Sequence, residues 1–145
     1  MKHYTPENYD PGNSVGLALS RARNRLTAEL DATLRDLDVS TQQMGILLGL
    51  LRGVASTPFE LSKMLDIDTG LMTRMLDKME QQDLLLRTRS VEDRRMVNLQ
   101  LTRHGKHVAT EVTKRAPNVL NARLKDFSAA EFHEFQRLLQ KFIGD

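Results

Sequence analysis

Residues 69–101 constrain the fold more than any other stretch of the chain, because a helical period gives way there to two short segments of alternating polarity. The segment TGLMTRMLDKMEQQD runs straight into LLLRTRSVEDRRMVNLQL. Stepping about a hundred degrees per residue from Met72 gathers Met72, Met75, Leu76 and Met79 into one arc. The opposite arc holds Gly70, Thr73, Arg74, Asp77, Lys78 and Gln81. This spacing predicts a helix over 69–82 with a methionine-rich inner face and a polar outer one. Strands are predicted at 84–89 and 96–101, where Val97, Leu99 and Leu101 alternate with Met96, Asn98 and Gln100, so that one face is buried. Between and beyond these apolar stems the hairpin displays Arg87, Arg89, Arg94 and Arg95.

A helix followed by an arginine-tipped hairpin is a pair of tools for gripping a duplex. The helix has the length and polarity to lie in a major groove, and hairpin guanidinium groups can track phosphates or enter a minor groove. Thr69 and Thr73 can donate to phosphate or touch a thymine methyl, and Arg74 and Lys78 can reach guanine edges or phosphates. Gly70 leaves room for a close sugar-phosphate backbone. In the tip, Asp93 precedes Arg95 by two residues, which predicts a bidentate pair orienting that guanidinium for a narrow minor groove. The competing reading is an ordinary amphipathic helix and a solvated hairpin, with Glu92 and Asp93 diluting the charge. Context decides against it: a short capped helix and a tight turn precede, giving the order of a winged helix-turn-helix.

The rest of the chain fits that order. Capping boxes are predicted at Ser40–Gln43, Thr57–Glu60 and Ser128–Glu131, the second with Pro58 at the first helical position. The first helix is predicted over 14–37 on a stripe of Val15, Leu19, Ala22, Leu26, Leu30 and Leu37. A second, near 41–52, presents Met44, Leu47, Leu48 and Leu51, and a third, 58–65, buries Leu61 and Leu65. Thr102 caps a fifth helix carrying Val108, Val112, Leu120 and Leu124, in which Pro117 predicts a kink or an end. The last helix, 129–143, spaces Phe132, Phe135, Leu139 and Phe142 helically. Residues 1–13 read as a flexible or irregular arm. The fold class is therefore mainly α with a small β-hairpin wing, in one chain of 145 residues.

Charge and composition narrow the function. The net charge is only +2, but residues 84–103 hold five arginines against two acids, a local basic patch. With no cysteine, disulfides, thiolate chemistry and cysteine-based zinc sites are excluded. The polar start MKHYTPENYDPGNS is no signal peptide, and ILLGLL at 46–51 is too short to span a bilayer, so a cytoplasmic location is expected. No phosphate loop, nucleophile elbow or metalloprotease signature occurs, which argues against an enzyme.

The ordered stretch ELSKMLDIDTGLMTRMLDKMEQQDLLLRTRSVEDRRMVNLQLTRHG, with its Asp93-Arg94-Arg95 tip, resembles the MarR family of bacterial transcription regulators over roughly residues 14–143. The resemblance implies a homodimer built by helices in 14–37 and 103–143, with a DNA-binding unit over 40–102 on a pseudo-palindromic operator. It implies repression relieved by a small anionic aromatic ligand. By position, Thr69, Gly70, Thr73, Arg74 and Lys78 fall on the recognition helix. Arg95 matches the arginine that enters the minor groove, Asp93 its orienting acid, and Arg87, Arg89 and Arg94 are expected backbone contacts. The stretch IDTGLMTRMLDKMEQQ looks closest to the family's peroxide sensors, but those use a reactive cysteine that is missing here.

Three further expectations concern partners. The terminal helices carry Phe127, Phe132, Phe135 and Phe142, more apolar surface than a small winged unit can hide, which favours a second copy over internal packing. Ser20, Arg21 and Arg25 on the first helix are candidates to hold an effector carboxylate, against a rim ion pair between Arg25 and Glu29. His104, His107 and Glu111 share a helix face but lack a further ligand, so no metal site is assigned and no cofactor is expected. The alternative function is a nucleoid-type or adaptor protein that binds DNA without sensing an effector.

Overall fold

A computed structural model describes all residues of the chain, 1–145. Six helices and one hairpin follow in the order α1 (Val15–Leu34), α2 (Thr41–Leu51), α3 (Pro58–Leu65), α4 (Thr69–Gln81), β1 (Leu85–Arg89), β2 (Val97–Leu101), α5 (Arg103–Leu124) and α6 (Ala129–Ile143). Short 3-10 turns occupy Pro11–Asn13 and Arg35–Leu37, so the stripe expected to reach Leu37 as one helix tightens in its last turn. The arm before α1 is tied down rather than irregular throughout. The backbone amide of Val15 donates to the Tyr4 hydroxyl at 3.0 Å, and the Tyr4 and Tyr9 rings meet edge-on at 5.6 Å.

Capping chemistry starts each helix. Ser40 and Gln43 form a reciprocal box at α2, as do Ser128 and Glu131 at α6. At α3 only half the predicted box forms: Thr57 Oγ1 accepts from the Glu60 amide at 3.2 Å, while the Glu60 carboxylate reaches one residue further back, to the Ser56 amide at 2.7 Å. Pro117 neither ends nor interrupts α5. It is exposed, which puts the backbone carbonyl left without its amide partner on the water-facing side of the helix.

The core gathers where α5 packs on α1 and α2, and where α3, α4 and the hairpin close over α2. Met72, Met75, Leu76 and Met79 of α4 are buried against Ile46 and Leu47 of α2, Leu84, Leu85 and Leu99 of the hairpin, and Val108 and Val112 of α5. The face of α2 differs from expectation. Gln43, Ile46, Leu47 and Gly49 are buried, Met44 and Leu48 are half-buried and Leu51 is exposed, because this helix is apolar nearly all round and its period alone cannot fix its rotation. In α1 only Leu30 and Leu34 are buried; Leu26 and Leu37 pack at the edge, and Val15 lies open.

Strands β1 and β2 pair antiparallel in the register Leu85–Leu101, Arg87–Leu99 and Arg89–Val97. Beyond β2 the sheet gains one bond, from the Leu99 amide to the Ser56 carbonyl at 2.8 Å, which fastens the wing to the start of the helix-turn-helix. At the other end of the molecule α6 buries none of its residues, and Phe135, Leu138 and Phe142 are open to solvent.

Candidate nucleic-acid interface

The outer face of α4 is what the core leaves over. Burying Met72, Met75, Leu76 and Met79 forces Gly70, Thr73, Arg74, Asp77 and Lys78 outward, and all of them are exposed, as is Thr69 at the first turn. Asp68 caps the helix by accepting from the Leu71 amide at 2.9 Å. Thr73 Oγ1 donates to the Thr69 carbonyl at 2.9 Å, so Thr73 presents its methyl and acceptor lone pairs, and its expected donation to a phosphate is instead spent within the helix. A Cβ on Gly70 would meet Asp68 Oδ1 at 3.2 Å and Arg74 Nη1 at 3.9 Å, both side-chain atoms, so its bareness is permissive rather than forced by the fold.

In the wing, residues 91–96 are all exposed, including Arg94 and Arg95, and Arg89 lies open on β1. The tip closes on itself through the Ser90 amide to the Met96 carbonyl (2.9 Å) and the Met96 amide to the Asp93 carbonyl (3.0 Å). The expected side-chain pair between Asp93 and Arg95 is absent. Asp93 Oδ1 accepts instead from the backbone amide of Arg95 at 3.0 Å. A short acid two residues before a turn amide closes this ring more readily than it reaches the far end of an arginine. Asp93 thus shapes the turn, and the Arg95 guanidinium is left without an acidic partner.

Arg87 also departs from expectation. Its guanidinium lies 2.6 Å from Asp77 Oδ1 and 3.2 Å from Glu80 Oε2, and its backbone amide donates to Glu80 at 3.3 Å. It is a strut between β1 and α4 rather than a free cation. The Arg87 guanidinium holds the Glu80 carboxyl below its ordinary value, and Glu80, then Asp77, hold Arg87 above its own. Arg87 cancels locally the charge of two acids that would otherwise repel an anionic partner from this face. The sequence offers only the candidates, Asp77 and Glu80 one turn apart on α4 and an arginine at the third residue of the following strand; the turn that brings them together is set by the fold.

Three grooves lie along α1, where the effector residues are expected. Ser20, Arg21 and Arg25 are exposed on α1 and line none of them. A groove of about 640 Å³ between α1, α2 and the α3–α4 turn carries Arg23 beside Asp31, Thr41, Ile67 and Leu71. A second, of about 770 Å³ between α1 and α5, is spanned by ion pairs from Arg123 to Glu29 and from Arg115 to Asp36. Glu29 thus pairs with Arg123, not with Arg25, and Arg123 holds its carboxyl below the ordinary value. The third, about 710 Å³, is apolar and lies between Val15, Leu19 and Ala22 of α1 and Phe135, Leu139 and Phe142 of α6. On α5, Glu111 is engaged by Lys114 at 2.9 Å and Arg115 at 3.6 Å, and no three metal-binding side chains converge anywhere.

Comparison with known proteins places this geometry. A family model described as the MarR family matches residues 40–97, the stretch from α2 to the start of β2. Transcriptional regulator AdcR of Streptococcus pyogenes is 30% identical over 134 residues, 90% of this chain and 88% of AdcR. The multiple antibiotic resistance protein MarR of Salmonella typhimurium is 30% identical over 115 residues, 79% of this chain and 80% of that protein. Among solved structures, a crystal structure of an E. coli MarR variant complexed with operator DNA superposes with a TM-score of 0.79 at 26% identity, covering 88% of this chain and 92% of that one.

Proposed function

Because this chain belongs to the MarR family, we propose that it is a sequence-specific DNA-binding regulator acting in the cytoplasm, most simply as a repressor, and not an enzyme. One observation carries this reading: the whole outward face of α4, with Thr69, Thr73, Arg74 and Lys78, is open to solvent beside a wing whose Arg94 and Arg95 are equally open. Arg74 and Lys78 read base edges or phosphates, Arg95 enters the minor groove, and Arg89 and Arg94 hold the backbone. Residues 14–37 and 103–143 supply the dimer helices, and 40–102 the DNA-binding unit. The exposed apolar faces of α1 and α6 support a homodimer, since an unpartnered surface of that size stays soluble only when covered. Two winged units then suit a pseudo-palindromic operator.

Gel shifts on the protein's own promoter and on scrambled DNA, at stated salt, test the reading. Equal affinity for both duplexes would leave counterion-driven binding and favour the nucleoid-type alternative. Within a specific complex, Arg74→Ala is expected to relax base preference at one position, costing about 1–3 kcal/mol. Arg95→Ala is expected to weaken binding to every sequence and to lower the salt slope by about one. An Arg74→Ala protein that keeps full discrimination would reassign that residue to the backbone.

For release, we place a small aromatic acid in the groove between α1, α2 and the α3–α4 turn, because it joins the dimer helices to the winged unit and its volume suits such a ligand. Arg23 is its cation. Three acids line the same groove: Asp31 accepts from the Thr41 amide at 2.7 Å and the Thr41 hydroxyl at 2.6 Å, Asp68 accepts from the Leu71 amide at 2.9 Å, and Asp66 stands beside them, so the ligand carboxylate must lie at the Arg23 end. Arg23→Ala is expected to abolish operator release by benzoate-like or cinnamate-like acids, and Arg21→Ala to leave it intact. The opposite pattern would return the role to Arg21, with Ser20 and Arg25 beside it.

A further inference from the structure

The C-terminal end of α4 is held by more than apolar contact. Gln43 of α2 is 4% exposed, and its Oε1 accepts from the Ser40 amide at 3.0 Å. Its Nε2 donates to Gln82 Oε1 at 2.8 Å. Gln82, the residue that caps α4, donates in turn from Nε2 to the Asp38 carbonyl at 2.8 Å and lies 3.4 Å from Asp38 Oδ2. The chain of bonds therefore starts and finishes on residues 38–40, the junction between the 3-10 extension of α1 and the first turn of α2.

Its direction is fixed at both ends. A backbone amide can only donate and a carbonyl can only accept, so neither carboxamide can flip without setting oxygen against oxygen or amide against amide. Left-handed backbone at Asp38 (φ 56°) and Asp83 (φ 58°) holds the two turns that flank the chain. The four apolar side chains beneath α4 resist separation but are far less directional than a hydrogen bond. The buried face of α4 sets which side turns outward, and the polar chain adds a directional restraint on the tilt of its C-terminal end.

We propose that Gln82 is a positioning residue that locks the orientation of α4 to the α1–α2 junction, and so sets the separation of the two recognition helices in a dimer. The proposal rests on the DNA-binding reading above. A shift at that junction is carried to the DNA-reading helix through Gln43 and Gln82 rather than absorbed between them.

The chemistry prescribes the variants. Gln82→Glu removes the donor and sets a carboxylate against the Asp38 carbonyl and carboxylate. Combining Gln43→Glu with Gln82→Lys rebuilds the chain in charged form: the new carboxylate accepts from Ser40, and the ammonium donates both to it and to Asp38. Because the chain has no cysteine, Thr73→Cys and Arg35→Cys introduced together in each background take one nitroxide label apiece. Doubly labelled protein diluted with unlabelled protein then reports the distance from α4 to the junction without DNA.

A single narrow distance is expected for the parent, a distribution at least about twofold broader for Gln82→Glu, and a narrow one again for the double variant. On DNA, with unlabelled proteins and an operator selected from random duplexes, inserting one base pair between half-sites is expected to cost the parent about tenfold or more. Gln82→Glu is expected to lose less than about threefold on the same insertion, and the double variant to recover the parent's penalty. Parent-like width and spacing penalty in Gln82→Glu, or failure of the double variant to restore them, would overturn the proposal. Should the parent select no sequence at all, the DNA-binding reading fails by itself, and the width measurement still decides whether Gln82 positions α4.

Discussion

Gly105→Ala is expected to be the most damaging single methyl that can be added to this chain. A Cβ at Gly105 would stand 1.8 Å from the Leu84 carbonyl oxygen and 2.8 Å from its carbon, both backbone atoms that no rotamer change can move aside. That carbonyl is itself engaged, accepting from the Thr102 amide at 3.1 Å, and Thr102 caps α5 through the Gly105 amide at 2.9 Å. Relief of the clash therefore means parting the first turn of α5 from the start of the wing. We expect a loss of about 3 kcal/mol or more, above the usual cost of one extra methyl in a core. Urea unfolding followed by circular dichroism reads it as a lower midpoint at unchanged slope. A variant within about 1 kcal/mol of the parent would show that the α5–wing junction yields freely.

Gly105 also marks where sequence reasoning stops. A glycine three residues after a capping threonine looks like a weak point in a helix, and nothing in its neighbours says that another backbone passes within contact distance. The four inward residues of α4 were legible because methionine and leucine at three- and four-residue spacings leave only one way to turn the helix. In α2, apolar on every side, the same reasoning rotated the helix wrongly, and tertiary packing chose Ile46 over Leu51. Strand ends and caps fell within a residue of expectation because their signals are local. Ion pairs did not: Arg87 with Asp77 and Glu80, Arg123 with Glu29, and Arg115 with Asp36 join residues brought together only by the fold. The site was therefore readable as a list of exposed cations, and unreadable as to which of them were already spoken for.

That distinction makes Arg87 the sharpest functional test after the recognition residues. Arg87→Ala is expected to weaken specific operator binding by about tenfold or more, since it frees the wing from α4 and leaves Asp77 and Glu80 uncompensated within a Debye length of the phosphates. A strut and a phosphate contact differ in their salt dependence. If Arg87 neutralised a phosphate, its removal would lower the slope of log affinity against log salt by about one; as a strut it leaves the slope nearly unchanged. Acid supplies a second, DNA-free reading. Glu80 is held below its ordinary 4.5 by Arg87, so the pair's contribution to stability is full above that value and is lost as pH falls through the lower folded one. The gap in thermal midpoint between parent and Arg87→Ala is therefore expected to be constant near neutrality and to close in acid. A gap that persists undiminished well below pH 4.5, together with a slope reduced by about one, would return Arg87 to the phosphate backbone.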